Sequence, residues 1–453
     1  MKIKDYISIN NDEINENQNN LIEEDKNTNK NIINYNIYKK LLFIFGIFII
    51  LLCSFDKNLI SFNKEFSTKN NKNNDEVIIP NNEDIYRQEN FDSREKAFKK
   101  AKNFLKSNME GKLLQKIPSE SINDTIASAV IPVYNSIEYI SRAIKSIQNQ
   151  NISNIEIILV NDFSTDNTLS FIEEIQRGDP RIKIINNKKN MGILYTRCIG
   201  VLNSKGRYIF PLDNDDMFLD NDVFFTMTNI ADKGYFDIVE FKGIFSRKGG
   251  KDILNNKRTD TLHTNRPLNL VIYQPELGDY LLWPKKKIND YYFESCYLWG
   301  KCIRTEIYKK AIYKLGEERY SRHMIKHEDI LMNYALFNTA RSYKFVGKYG
   351  IFYIYRQSSA SREKPNFNMD IYHIYLLDVA LIFVKDNVKN KRILVNLAMY
   401  VLSIKKLKEI LQQNNYLKNI FYSCIKRVLS MTKISDKLKN EIRKKGKELK
   451  LIN

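Results

Sequence analysis

An acidic loop at residues 213–216 is the first candidate for chemistry. The apolar stretch Tyr208–Leu212 predicts a strand, and Asp213, Asp215 and Asp216 follow it directly. Carboxylates held this close raise each other's pKa unless a cation neutralises them. Hard oxygen ligands suit Mg²⁺ or Mn²⁺, so the loop predicts a divalent-cation site. An acidic surface turn is the alternative, whereas an EF-hand is excluded because its glycine and distal glutamate are absent from the sequence.

A second pair of carboxylates, Glu328 and Asp329, opens a predicted helix. Leu331, Tyr334 and Ala335 recur at the spacing of one buried helix face. The helix dipole stabilises an ionised acid in the first turn, which by itself explains the pair. The same position suits a general base that keeps its negative charge until it accepts a proton.

Two further loops follow the first two predicted strands of the chain. Asp162 stands where the second strand ends, and its carboxylate could accept from a base N–H or a ribose hydroxyl. The Ser, Asp, Asn and Thr residues of 164–168 are typical of helix capping. The first loop, at residues 130–135, contains no glycine-rich phosphate fingerprint. Ligands of open α/β sheets bind at the carboxyl ends of strands, so both loops are placed to contact one.

From about Ile126 the chain alternates apolar strands with amphipathic helices, which is typical of a mostly parallel sheet. The predicted strands are Ala127–Val133, Ile155–Val160, Ile182–Ile185, Tyr208–Leu212, Asp237–Phe241 and Gly350–Tyr355. The predicted helices are Glu138–Gln148, Thr168–Gln176, Ile193–Asn203, Thr305–Leu315 and Asp329–Phe337, with three or four more in 369–450. Residues 242–298 are expected to be irregular.

Composition excludes several classes of protein. The 27 Tyr and 25 Phe residues exclude a wholly disordered chain, and five scattered Cys residues exclude a disulfide scaffold. The net charge is +19, but 18 Lys and Arg against 5 Asp and Glu lie after residue 384. The excess of positive charge therefore lies in the predicted C-terminal helices. We interpret it first as the solvated faces of Lys-rich helices, and second as a surface that is attracted to an anionic membrane. Nucleic acid is not among the expected partners.

The N-terminal part predicts a membrane anchor. Residues 1–36 are polar and are expected to be a disordered cytoplasmic tail. Residues 37–56 contain the unbroken apolar run 41–55, preceded by Lys39 and Lys40, which predicts a single transmembrane anchor with a cytoplasmic N-terminus. Residues 57–120 are expected to form a stem with a helix at 91–114. A folded domain at 121–365 and a basic helical extension at 366–453 complete the prediction.

Taken together, these segments resemble the family-two glycosyltransferases of the GT-A fold. The resemblance covers about Ile126–Asp216, and more loosely extends to Ser361. It rests on the order and spacing of short motifs: 130–135, 160–168, 190–192 with Thr196-Arg197, 204–209, 212–216, Trp299-Gly300-Lys301, Glu328-Asp329 and Tyr355-Arg356. It implies a Rossmann-like, mostly parallel central sheet with flanking helices, which makes 121–365 a GT-A domain.

The resemblance implies an inverting transfer from a nucleotide-sugar donor, usually UDP-linked, to an acceptor hydroxyl. On the donor side, Asp162 would face the nucleobase, with Val133 and Asn135 lining the same pocket, and Arg197 would lie near the nucleotide. Asp213 and Asp215 would be the Asp-x-Asp pair. Asp213 would lie toward the ribose, and Asp215 would bind a Mn²⁺ or Mg²⁺ that bridges the diphosphate.

On the acceptor side, Asp329 would deprotonate the hydroxyl, while Glu328 and Trp299 would help to hold the acceptor, which is a glycan, a lipid or a protein. Combined with the anchor, this predicts a single-pass membrane protein of the Golgi or the endoplasmic reticulum with a lumenal catalytic domain. Two other functions built on the same site remain open from the residues: a sugar-nucleotide nucleotidyltransferase, and a catalytically dead nucleotide-sugar-binding module. A third alternative is a basic peripheral protein that uses its Lys-rich tail on membranes or nucleic acid.

Three positions depart from the family pattern. Asn161 stands where the family often has a second Asp, Cys198 replaces an Asn that frequently follows the Arg, and Pro211 lies inside the strand before the acidic loop. Pro removes a backbone donor, which predicts an edge or irregular position there. None of the three is a proposed metal ligand or the proposed base.

Overall fold

A computed structural model gives the fold of most of the chain after residue 124. The structure describes residues 125–246, 297–324, 327–354, 367–383, 397–404, 406–431 and 434–448, and the short pieces 77–78, 96, 99–100, 103, 260–262, 270–273 and 394. All of these lie in one of the two units into which contacts divide the chain, Asp75–Asn453.

The described strands form one mixed sheet. They are β1 (Val77–Ile78), β2 (Ala127–Val133), β3 (Ile155–Asn161), β4 (Ile182–Asn186), β5 (Tyr208–Pro211), β6 (Met217–Phe218), β7 (Ile238–Ser246), β8 (Asp260–Leu262), β9 (Val271–Tyr273), β10 (Lys301–Arg304) and β11 (Ser342–Ile354). Their order is β1-β9-β11-β7-β10-β5-β2-β3-β4, with β6 paired to β11 and β8 to β7.

The helices cover both faces of this sheet. They are α1 (Ile140–Gln148), α2 (Thr168–Gly178), α3 (Ile193–Leu202), α4 (Val223–Gly234), α5 (Thr305–Leu315), α6 (Glu317–Tyr320), α7 (Glu328–Phe337), α8 (Phe367–Phe383), α9 (Leu407–Gln413), α10 (Asn415–Ser430) and α11 (Asp436–Glu448). The apolar residues of α1, α2 and α4 pack on one face. Those of α3, α5, α7 and the helices after α7 pack on the other.

The half of the sheet that carries the predicted loops is parallel. β5, β2, β3 and β4 pair in parallel, and every residue of β2 is buried, as expected for a strand covered on both faces. Parallel strands end at the same edge, so the loops after β2, β3 and β5 meet there. The approximate bounds of these four strands along the chain agree with the sequence prediction, which did not give their order in the sheet.

The other half departs from the expectation of a mostly parallel sheet. β10 runs antiparallel to both β5 and β7, and β9 runs antiparallel to β11, which makes the whole sheet mixed. β10 was not predicted, and β11 begins at Ser342 rather than at Gly350. Register shifts between Val346 and Ile351 interrupt the regular alternation of side chains along β11. The first half of the strand was therefore not predicted from the sequence pattern. Residues 242–298 include the end of β7 together with β8 and β9, and apart from Leu270, Tyr297 and Leu298 the rest of that range lies outside the described residues.

The C-terminal helices share a core with the helices that pack on one face of the sheet. Leu377 of α8 and Phe421 of α10 belong to the same buried cluster as the inner faces of α5 and α7. A charged junction reinforces this packing, because the Asp378 carboxylate accepts from Arg322 Nη2 at 2.6 Å and from Arg319 Nε at 2.9 Å. The guanidinium of Arg322 also lies 4.6 Å from the ring centre of Tyr375. The predicted extension, 366–453, is therefore helical where it is described, and it is part of the core.

We expect Asp378→Asn to lower the free energy of unfolding by about 3 kcal/mol, because it leaves the buried charge of Arg322 without its carboxylate partner. The measurement is urea denaturation followed by circular dichroism. Glu441→Gln, at an exposed position of α11, is the matched control and should change stability by less than about 0.5 kcal/mol. Equal stabilities for the two variants would show that the junction contributes nothing.

Several predictions about the N-terminal part lie outside the described residues. These are the tail at 1–36, the anchor at 37–56, and most of the stem at 57–120 with its helix at 91–114. Within the part of the chain that the structure describes, no helix is both long enough and apolar enough to cross a bilayer. The anchor, the stem and the lumenal location stay predictions.

Candidate active site

One buried arginine joins the two acidic segments that the sequence singled out. Arg197 lies on α3, and its side chain is 2% exposed. Its Nη2 atom lies 3.0 Å from Asp213 Oδ1, 3.5 Å from Glu328 Oε1 and 3.6 Å from Asp329 Oδ1. The structure therefore brings the loop after β5 and the start of α7 to a single guanidinium.

A backbone hydrogen bond and a left-handed turn position the two acidic segments. Leu212 N donates to Val130 O, which fixes the chain immediately before Asp213 beside the end of β2. His327 precedes α7 with a left-handed φ of 61°, and this turn sets both Glu328 and Asp329 in the first turn of the helix. The positive end of the helix dipole there favours carboxylates.

The electrostatics of this cluster are unusual, because three carboxylates share one guanidinium. Burial alone would lower the pKa of Arg197, but the charges of Asp213, Asp329 and Glu328 outweigh it and raise that pKa above its ordinary value. Desolvation raises the pKa of Asp329 well above its ordinary value, and the adjacent Glu328 adds to the rise while Arg197 opposes it. Desolvation likewise raises the pKa of Glu328. Glu328 and Asp329 therefore bind and release protons at a higher pH than free carboxylates do.

The rest of the acidic loop is held from two sides. Asp216 is fully buried, and its Oδ1 accepts from Ile354 N of β11 at 2.9 Å. Asn214 Nδ2 donates to Ser136 Oγ at 2.6 Å, in the loop after β2. Asp215 lies between these two attachments and is 9% exposed. In the described part of the chain, no group of three or more His, Cys, Asp or Glu side chains is arranged to hold a metal ion.

Asp162 connects two loops at the same edge of the sheet. Its Oδ1 accepts from Asn187 Nδ2 and Met191 N, both at 2.8 Å, and its Oδ2 accepts from Gly192 N at 2.9 Å. Gly192 has a φ of +86°, and a Cβ there would lie 2.8 Å from Met324 O, so only glycine fits. Asp162 therefore fixes the loop that leads into α3, the helix that carries Arg197.

The loops after β2 and β3 are tied to each other through Asn135. Its Oδ1 accepts from Thr165 N at 2.8 Å, and its own N–H donates to Ser164 Oγ at 3.1 Å. Asn135 adopts a φ of 44°, a conformation that Asn tolerates better than most residues. Val133, by contrast, is fully buried at the base of this loop, where its carbonyl accepts from Asp162 N.

Trp299 lies in the core beneath this edge of the sheet and is 1% exposed. Its ring stacks on Tyr297 with ring centres 4.6 Å apart and on Tyr353 with ring centres 5.5 Å apart. Desolvation raises the pKa of Tyr353, and the charges of Asp216, Asp213 and Asp215 raise it further, which places Tyr353 beside the acidic loop. Tyr353 was not predicted from the sequence, because no local pattern links it to a loop more than 130 residues earlier.

Comparisons with known proteins find a family match over part of this chain. Residues 128–285 match the family model described as glycosyl transferase family 2. The match confirms the resemblance predicted from the sequence, and with it the class of a glycosyltransferase enzyme for the matched segment. It covers β2 and the loops after β2, β3 and β5, which carry Asn135, Asp162 and Asp213.

Individual relatives agree with this assignment over part of their length. The chain is 45% identical over 95 residues to an uncharacterized glycosyltransferase of Haemophilus influenzae, covering 21% of this chain and 29% of that protein. It is 29% identical over 237 residues to the uncharacterized glycosyltransferase EpsJ of Bacillus subtilis, covering 52% of this chain and 62% of EpsJ. The chain thus spans less than two thirds of either relative.

Among solved structures, S. aureus TarS 1-349 in complex with UDP-GlcNAc aligns with a TM-score of 0.48 and 17% identity, over 71% of this chain and 88% of that one.

Proposed function

We propose that the chain is an inverting, metal-dependent glycosyltransferase on a GT-A scaffold. It transfers a sugar from a nucleotide-sugar donor, with UDP as the favoured nucleotide, to the hydroxyl of a glycan, lipid or protein acceptor. The observation that carries the proposal is Arg197, whose one guanidinium contacts both Asp213 at the end of β5 and Glu328-Asp329 at the start of α7. The proposed donor residues and the proposed base then belong to one site.

The chemistry of the step follows from this arrangement. The acceptor oxygen attacks the anomeric carbon, the bond from that carbon to the diphosphate breaks, and the electron pair leaves with the diphosphate. The oxygen attacks the face of that carbon opposite the leaving diphosphate, so the configuration at the carbon inverts, and Asp329 takes the proton of the hydroxyl as general base. Glu328 and the stacked ring of Trp299 support the acceptor side of the site.

The donor side is built from the loops after β2, β3 and β5. Asp162, Asn135 and the backbone at Val133 form the part nearest a nucleobase, and Asp213 lies toward the ribose. Arg197 pairs with Asp213 and would hold that carboxylate in place beside the nucleotide. Ligands of open α/β sheets bind at this edge, which supports the placement.

A divalent cation fits the carboxylates present. Mg²⁺ and related ions are usually bound by one or two carboxylates together with substrate phosphates, so Asp215 and Asp213 are a sufficient set without a third protein ligand. When bound, the cation acts as a Lewis acid that neutralises charge developing on the leaving diphosphate. Asp215 is the proposed metal ligand, and Asp213, which pairs with Arg197, lies toward the ribose.

The proposal is tested by a thermal-shift panel of nucleotides and sugar nucleotides, each with and without Mn²⁺. A UDP-sugar at about 100 times its Kd should stabilise the protein by about 2.7 kcal/mol, and should do so only when Mn²⁺ is present. The preferred sugar nucleotide should then be consumed with release of UDP. Failure of every sugar nucleotide to shift the melting temperature would contradict the proposal.

The same panel separates the two other functions. A nucleotidyltransferase would be stabilised by a nucleoside triphosphate and would release pyrophosphate from it in the presence of a sugar phosphate. A dead binding module would be stabilised by the UDP-sugar but would release no UDP. Neither alternative is favoured by a contact in the structure.

A further inference from the structure

A group of buried polar atoms lies on the inner side of the candidate active site. Six such atoms have no hydrogen-bond partner among the described residues: Arg197 Nε and Nη1, Tyr308 Oη, Asn333 Nδ2 and Oδ1, and Asp329 Oδ1. Tyr308 and Asn333 are both fully buried. These two residues have no role in the function proposed above.

The members of this group belong to three helices that pack on one another. Tyr308 lies on α5, which contacts both α3, carrying Arg197, and α7, carrying Asp329 and Asn333. The charges of Arg197, Asp329 and Glu328 all act on the pKa of the Tyr308 hydroxyl, after the dominant effect of burial, so this hydroxyl lies close to them. Asn333 follows Asp329 by four residues and therefore lies on the same face of α7, one turn further in.

Such a concentration of unbonded polar atoms needs an explanation. Folded proteins pair most of their buried polar groups, and each exception costs free energy. Apolar side chains would fill the same positions at no such cost. A buried water commonly makes about three hydrogen bonds to groups of this kind. Here the donors and acceptors are carried by three helices that contact one another.

We propose that Asn333 and Tyr308 are positioning residues for Asp329. Together with the inner edge of the Arg197 guanidinium, they bind internal water, and the hydrogen bonds of that water fix the Asp329 carboxylate in the orientation that meets the acceptor hydroxyl. This inference rests on the proposed function, in which Asp329 is the base. It adds two residues that neither the motifs nor the family match singles out.

The test compares two substitutions that remove nearly the same volume. Asn333→Ala leaves an apolar site, whereas Asn333→Ser leaves a hydroxyl that can still bind water. We expect Asn333→Ala to lower kcat for UDP release from the preferred UDP-sugar about tenfold or more, because small displacements of a catalytic group are costly. Asn333→Ser should recover most of the wild-type rate. Tyr308→Phe, which removes only the hydroxyl, should behave as Asn333→Ala does.

The affinity for the donor separates positioning from general damage. Asp329 contacts the acceptor side, so the Kd of the UDP-sugar should stay within about twofold of wild type in all three variants. Asn338→Ala is the control for a buried amide on the same helix, because Asn338 Nδ2 donates to Tyr334 O at 2.8 Å and lies away from the cluster. It should lower the melting temperature and leave kcat unchanged.

Equal kcat values for Asn333→Ala and Asn333→Ser, or an unchanged kcat in Tyr308→Phe, would overturn the inference while leaving the proposed function intact. Absence of UDP release by the wild-type protein would overturn the proposed function. A crystal structure of the wild type then shows whether Asn333 and Tyr308 bind internal water. Water bonded to both Asn333 and Tyr308 supports it. Direct contact of these side chains with other protein groups, without water, refutes it.

Discussion

Replacing Asp329 with Asn is expected to slow UDP release by about 10² to 10⁴-fold while donor affinity stays near wild type, because the amide cannot accept the proton of the attacking hydroxyl. The fold should survive, since Arg197 keeps its 3.0 Å contact with Asp213. The measurement is a coupled assay of UDP release with water or a sugar as acceptor, beside a binding titration of the UDP-sugar. Glu441→Gln serves as the control, and a parallel loss of rate and donor affinity in Asp329→Asn would indicate a structural role instead.

The pH dependence of the same reaction gives a second readout for Asp329. A general base works only when ionised, so the rate falls as the pH drops through its pKa. Desolvation and the neighbouring Glu328 raise the pKa of Asp329. We therefore expect the acid limb of kcat to lie above the ordinary range of an aspartate, and we expect Asp329→Asn to remove that limb. An acid limb at the ordinary pKa, unchanged in the variant, would assign it to another group.

Replacing Asp215 with Ala is expected to abolish Mn²⁺-dependent UDP release, a loss of about 10³-fold or more. The physical reason is that charge develops on the leaving diphosphate, and its stabilisation by a fixed positive charge is usually the largest catalytic effect. The loop should keep its position, because Asp216 still accepts from Ile354 N and Asn214 still donates to Ser136 Oγ.

The measurement for Asp215→Ala is UDP release across a titration of Mn²⁺, together with the thermal shift given by UDP with and without the ion. The variant should retain the melting temperature of the free protein and lose the part of the UDP shift that depends on Mn²⁺. Glu441→Gln, at an exposed position of α11, is the control and should leave the dependence on Mn²⁺ in place. A wild-type response to Mn²⁺ in Asp215→Ala would remove Asp215 from the metal site.

The parallel half of the sheet was predictable because its signals are local. β2, β3 and β5 are short apolar runs that end in polar residues, and the helices between them show one apolar face each. Their carboxyl ends must meet at one edge, so the proximity of Asn135, Asp162 and Asp213 followed from topology alone. The turn before α2 was anticipated in part: Asp166 Oδ1 accepts from Thr168 N at 3.0 Å, whereas the N-cap residue itself, Asn167, makes no side-chain capping bond.

The links between distant segments were not predictable from one sequence. Asp213 and Glu328 are more than a hundred residues apart in the sequence. No periodic pattern indicates that Arg197 contacts both of them in the folded chain. Asp162 was assigned to a ligand from its position at a strand end, but its three hydrogen bonds to the 187–192 segment depend on how that segment folds back. The first half of β11 was missed because register shifts break its alternation.

The most direct test of the site is a crystal structure of the protein with UDP and Mn²⁺, in which anomalous scattering locates the manganese. The predicted result is an ion bound by Asp215 and the diphosphate at the carboxyl ends of β2, β3 and β5, with the Asp329 carboxylate on the opposite side of the space where the sugar lies. Manganese and UDP bound away from this edge of the sheet, with Asp215 and Asp329 contacting neither ligand nor a shared cleft, would contradict the proposed function.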